Sequence, residues 1–237
     1  RVARRQVPFP RGRGTMGGNG NLRFEFRVLG PFQVVSGGRA VEIGSAKQQA
    51  LLALLVTNLN RPVSVDAIGD ALWEGSPPAS LVSTVQSLVY RLRKVLGEAD
   101  AEAAGVAIRG RGSGYVLEGE PLQVDGHRFE RLAARGRELA ATGAADAAAR
   151  AFRDGLALWR GPALAGLADL GFARVEATRL DQARLGAVEG LAEAELARCR
   201  HRGRMRRNCA SAGTVEVAPE AQFAGTRRSS PPGQVPL

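Results

Sequence analysis

The stretch Arg23-Phe24-Glu25-Phe26-Arg27-Val28 alternates polar and apolar residues, the two-residue period of a half-buried strand. Gly30-Pro31 interrupts it, residues 32–35 resume extended structure, Ser36-Gly37-Gly38 turns, and residues 40–43 return. The chain therefore opens on a small antiparallel sheet. The period then becomes helical. Ser45 with Gln48 three places on forms a capping box, and Ala50, Leu51, Leu54 and Leu55 make an apolar face that fades at Asn58. Pro62 breaks the chain, and Ser64 caps a short helix through Ile68, Leu72 and Trp73. After the turn Gly75-Ser76-Pro77-Pro78, residues 80–96 predict a longer helix closed by Gly97. Two extended pieces, 106–109 and 115–117, flank the glycine-rich tip Gly110-Arg111-Gly112-Ser113-Gly114.

Sheet, helix, helix, longer helix and hairpin, in that order, are the layout of a winged helix-turn-helix with an added N-terminal antiparallel sheet. From residue 124 alanine, leucine and arginine dominate and strand signals vanish. Residues 125–142 predict a helix with Phe129, Leu132 and Leu139 inward. Residues 144–160 predict a second with Phe152, Leu156 and Trp159. Gly161-Pro162 ends it, and residues 172–200 predict a third, carrying Val175, Leu180, Leu185, Val188, Leu191 and Leu196. Antiparallel helices on short loops predict an all-α helical-repeat domain. The fold class is α+β: a winged-helix domain over 22–119 and a partial all-α domain over 122–200. Residues 1–21 and 201–237 are basic, poor in anything to bury, and read as disordered.

The net charge of +10 resides almost wholly in those two end segments, so it is weak support for nucleic-acid binding by the folded part. What matters is where charges cluster. The longest apolar run, 50–56, is far too short to span a bilayer, and no apolar stretch follows the basic N-terminus as in a signal peptide. That predicts a cytoplasmic protein without a membrane partner. Cys199, Cys209, His127 and His201 form no ligand spacing, so no metal and no cofactor are expected. An enzyme is not expected either: there is no phosphate loop with lysine and no nucleophile elbow.

On a helical wheel of residues 80–96, Leu81, Val85, Leu88, Leu92 and Val95 form one stripe. Ser83, Ser87, Tyr90, Arg91 and Lys94 lie opposite, with Gln86 and Arg93 beside them and no acid among them. That chemistry suits a duplex. Small hydroxyls allow close approach, Gln86 can pair with adenine, Arg91 or Arg93 can pair with guanine or clamp phosphate, and Tyr90 can donate to phosphate. Arg109 and Arg111 on a glycine-rich tip fit phosphate or the minor groove. Lys47, in the first turn of its helix, is a further phosphate candidate, whereas Asp66, Asp70 and Glu74 gather on the second helix. The DNA-binding set is thus Lys47, Ser83, Thr84, Gln86, Ser87, Tyr90, Arg91, Arg93, Lys94, Arg109, Arg111 and Tyr115. The competing class is an adaptor whose helical half binds a protein.

Leu29-Gly30-Pro31-Phe32, Ala46-Lys47-Gln48-Gln49-Ala50-Leu51-Leu52, Leu72-Trp73 with Pro77-Pro78, Arg91-Leu92-Arg93-Lys94-Val95-Leu96-Gly97 and Gly112-Ser113-Gly114-Tyr115 resemble an OmpR-type DNA-binding domain. The version they resemble is that of the Streptomyces antibiotic regulatory protein (SARP) family. Val124-Asp125 with Phe129, Leu158-Trp159-Arg160-Gly161-Pro162-Ala163-Leu164 and Arg179-Leu180 through Glu189 to Ala194-Glu195-Leu196 resemble its tetratricopeptide-like bacterial transcriptional activation domain. The resemblance implies an activator of biosynthetic gene clusters on the nucleoid. It implies binding to promoter direct repeats as a homodimer, and contact with RNA polymerase through the loop Glu74, Gly75, Ser76, Pro77 and Pro78. In the family the helical domain continues past the position of Arg200, where this chain loses its helical period.

Overall fold

The computed structural model describes residues 24–212, with side chains to residue 200. Of the two basic segments read as disordered, 1–21 and 201–237, residues 1–21 and 213–237 lie outside the described residues, whereas 201–212 are helical. The chain divides into two compact units, Arg1–Ala197 and Arg198–Leu237, and the sheets and the packed helices belong to the first.

Strands β1 (Phe24–Arg27), β2 (Gln33–Ser36) and β3 (Arg39–Val41) form an antiparallel meander, β1-β2-β3. Phe24 and Phe26 turn inward from β1 and meet edge to face at 5.4 Å. Helix α1 (Ala46–Thr57) carries the predicted capping box, Ser45 with Gln48. Over residues 50–56 it is apolar all round, since Leu52, Ala53 and Val56 are buried along with the expected face. Such a helix runs through the middle of a domain, and α1 packs against α2 (Val65–Trp73), α3 (Leu81–Glu98) and the final strand. The Ser64 hydroxyl caps α2 by accepting from Ala67 N at 3.1 Å. The residues just before it pair as a two-residue strand, β4 (Val63–Ser64), which the Pro62 break concealed. With β5 (Ala107–Arg111) and β6 (Gly114–Glu118) it makes a second sheet, β4-β6-β5.

Helices α4 (Asp125–Ala141) and α5 (Ala145–Leu156) pack as an antiparallel pair around Phe129 and Phe152. Helix α5 stops four residues short of the expected end because the chain is needed elsewhere: Arg160 N donates to Leu29 O at 2.8 Å. Helix α6 (Gly171–Ala212) continues twelve residues beyond the expected end at 200. Its buried stripe is the expected one only at Leu180, which is buried, and Leu191, which packs partly buried against the core. Val175, Leu185, Val188 and Leu196 are exposed, and the inward positions are Ala173, Leu180, Ala187 and Ala194, seven apart. Small residues bring α6 close to its neighbours, and Gly190 sits directly against the Phe152 ring. Among the described residues no helix is long and apolar enough to cross a membrane.

The boundary expected near residue 120 is not a gap in the packing. Val28 N and Leu29 N donate to the Asp125 carboxylate at 2.6 and 3.3 Å. Leu164 N donates to Val28 O and Ala165 N to Gly30 O. The Arg160 guanidinium reaches Asp125 at 3.4 Å and Pro31 O at 3.2 Å. The β1–β2 turn is therefore held by the helical half.

Candidate nucleic-acid interface

The inner side of α3 buries Val85, Leu88, Val89, Leu92 and Leu96, which fixes the rotation of the helix. Leu81 and Val95 pack partly buried at the margin of that stripe. Ser83, Gln86, Ser87, Tyr90, Arg91, Arg93 and Lys94 consequently lie exposed. Tyr90 is 71% exposed, an unusual setting for an aromatic ring. The Ser83 and Thr84 hydroxyls both donate to Ser80 O at 3.0 Å, and Thr84 is half-buried. Lys94 stands 4.0 Å from Glu98, one turn on, in a solvent-exposed pair.

The hairpin beside α3 is tighter than expected. β5 and β6 run up to a two-residue loop, Gly112-Ser113, with Gly112 at φ +55°. A two-residue hairpin favours glycine first because that φ is costly for other residues. Gly114 is required for another reason. A Cβ there would run into the Val63 carbonyl oxygen and come within 2.7 Å of Ser64 Cα. The tip thus stands against the start of α2. A groove of about 390 Å³ separates it from α3, with Val82 and Gln86 on one wall and Gly110, Gly112 and Ser113 on the other.

Several candidates do more than face solvent. Arg93 Nε donates to Ile108 O at 3.0 Å and its guanidinium lies 6.0 Å from the centre of the Tyr115 ring, so this arginine ties α3 to the hairpin. Arg109 lies 3.8 Å from Glu102 and 4.0 Å from Glu118, and Arg111 lies 3.3 Å from Glu118. Lys47 is turned away from the α3 face. Its ammonium donates to Leu72 O and sits 5.1 Å over the Trp73 ring, where it holds the end of α2. From there the chain enters the exposed stretch Glu74, Gly75, Ser76 and Pro77, with Pro78 half-buried and Glu74 in the left-handed region at φ +48°. Two residues of this surface were missed in the sequence. Val82, 57% exposed, was hidden by its apolar character, and Glu118 by its distance from the tip along the chain.

Comparison with known proteins follows the same division. A family model described as "Transcriptional regulatory protein, C terminal" matches residues 38–117, and "Bacterial transcriptional activator domain" matches 124–214. The Streptomyces peucetius regulatory protein DnrI is 33% identical over 183 residues, covering 76% of this chain and 67% of DnrI. The chain belongs to the Streptomyces antibiotic regulatory protein family. This SARP carries the domain pair of a DNA-binding transcription regulator, not of an enzyme. The Streptomyces coelicolor transcriptional regulator RedD is 36% identical over 171 residues, 72% of this SARP and 49% of RedD. The Mycobacterium tuberculosis regulator EmbR is 39% identical over 175 residues, 74% of this SARP and 45% of EmbR. The solved structure "Mycobacterium tuberculosis EmbR in complex with low affinity phosphopeptide" matches with a TM-score of 0.71 at 37% identity, covering 81% of this SARP and 50% of that chain. This SARP therefore spans about half the length of EmbR and RedD. Neither family model includes residues 24–37, which hold β1 and β2.

Proposed function

We propose that α3 enters the major groove of promoter DNA while the β5–β6 tip grips the backbone or the adjacent minor groove. The observation that carries this reading is the outward face of α3, free of acids from Val82 to Lys94, with Tyr90 standing 71% exposed on it. Ser83, Gln86 and Ser87 are the base readers, and Arg91 and Lys94 take either bases or phosphate. Arg93 and Lys47 are left out of the contact set because they hold α3 to the hairpin and α1 to α2. Family membership supports the rest. The protein activates a secondary-metabolite gene cluster, binds promoter direct repeats as a homodimer, and meets RNA polymerase through Glu74, Gly75, Ser76, Pro77 and Pro78.

The test is selection from a randomised duplex library at several salt concentrations, with the full chain and single variants. Gln86→Ala or Ser87→Ala should relax preference at particular base pairs. Arg111→Ala should instead weaken all duplexes alike and make the salt slope shallower by about one unit. If α3 variants leave affinity and preference intact, α3 does not read DNA, and an adaptor role for the helical half takes precedence.

A further inference from the structure

Arg111 is the cation nearest the hairpin tip in sequence, yet its guanidinium is drawn away from the tip. Arg111 pairs with Gly114 at the turn, and Glu118 pairs with Ala107 at the other end of the ladder. Residues 109, 111 and 118 therefore share one face of the hairpin. Arg111 Nη2 lies 3.3 Å from Glu118 Oε1, so the arginine folds back along the strands. Arg109 Nε stands 4.0 Å from the other Glu118 oxygen, and its Nη2 stands 3.8 Å from Glu102. Two arginines and Glu118 on the hairpin, with Glu102 in the short turn before β5, thus form a neutral cluster at the element offered to DNA. The surroundings do not offset this: acidic and basic residues balance over 24–118.

We propose that Glu118, assisted by Glu102, competes with DNA phosphate for Arg109 and Arg111, and so keeps the sequence-independent part of duplex affinity low. This rests on the reading of the hairpin as DNA-facing. All four groups are partly exposed, so the pairs are screened and weak, and a phosphate row can displace the carboxylates. Each arginine must nevertheless give up a partner before it neutralises a phosphate, which reduces the gain from counterion release. Complexes held by phosphate contacts alone bear that penalty without base contacts to offset it. The proposal makes Glu118 a residue that acts on affinity through the two arginines and touches no base.

The probe is a random-sequence duplex of about 30 base pairs, titrated with the full chain by fluorescence anisotropy across a salt series. Glu118→Gln should tighten binding roughly three- to tenfold at low salt and steepen the salt slope by up to about one unit. Glu42→Gln, the same charge change at an exposed site just after β3, should do much less. In an Arg109→Ala, Arg111→Ala background Glu118→Gln should lose most of its effect. Thermal melts establish that each variant is folded. Equal effects of Glu118→Gln and Glu42→Gln would overturn the proposal. So would an undiminished Glu118→Gln effect without the arginines, because that is general repulsion and not competition. If removing both arginines weakens binding while Glu118→Gln is silent, the hairpin reading stands and the role of Glu118 is lost. If removing both arginines changes nothing, the hairpin reading fails and takes the proposal with it.

Discussion

Two single residues carry much of the local geometry. Gly114 lets the β4 backbone approach β6, and Gly114→Ala should break that pairing and cost at least about 2 kcal/mol in denaturant unfolding. An unchanged midpoint would show that β4 can shift freely. Asp125 is only 2% exposed and accepts from Val28 and Leu29 amides. Burial pushes its carboxyl above the usual carboxylate range, and the two amides and Arg160 pull it back only in part. A folded-state pKa above the unfolded one means that this group stabilises most below the unfolded value, and that the contribution is lost as pH rises through the folded value. The charge is therefore not what the site needs most; the acceptors are. Asp125→Ala should cost about 2–4 kcal/mol by stranding the amides, and Asp125→Asn, neutral but with an acceptor, less than half of that. Equal losses for the two variants in denaturant melts would refute this account.

At the scale of elements, α3 and α6 show how packing sets what is free. Arg93 spends its guanidinium on Ile108 O, so Arg93→Ala should loosen the hairpin by about 1 kcal/mol. Hydrogen exchange would register this as faster β5 and β6 amides, with those of α3 unchanged. Helix α6 offers an internal control. Gly186 has open space where a Cβ would go, whereas at Gly190 it would come within 2.6 Å of the Phe152 ring. Gly186→Ala should be neutral or stabilising by up to about 1 kcal/mol, the helix-propensity gain. Gly190→Ala should lower the thermal midpoint, because the ring is also hemmed in by Gly136. Similar melting curves for the two variants would mean that α6 is not seated on Phe152.

For the molecule as a whole, the turn between β1 and β2 joins the DNA-binding half to the helical half. The Val28 and Leu29 amides donate to the Asp125 carboxylate, and the carbonyls of Leu29, Val28 and Gly30 accept from the backbone amides of Arg160, Leu164 and Ala165. A fragment ending at residue 119 would lose every one of those partners. In such a fragment the Val28 and Leu29 amides should exchange rapidly while α1, buried over residues 50–56, stays protected. Full protection of both amides in the fragment would mean that the halves are independent.

Local chemistry was enough to predict most of the elements. Capping at Ser45 and Ser64, the alternation in β1, the stripe of α3 and the glycines of the hairpin each act over a few residues, and the structure agrees with them. Where that chemistry depends on a distant partner, the sequence was silent. It did not reveal β4, because two residues make a strand only when another strand lies beside them. It placed Leu180 and Leu191 correctly in α6 but took Val175, Leu185, Val188 and Leu196 as inward, because large apolar residues drew attention where close helix contact selects Ala173, Ala187 and Ala194. It could not tell that Arg93 and Lys47 are engaged, or that Arg111 reaches back to Glu118, since long cationic side chains take whichever partner the fold brings within reach. Periodicity governs which way a helix faces; only the tertiary structure decides which of its outward charges are still free to meet DNA.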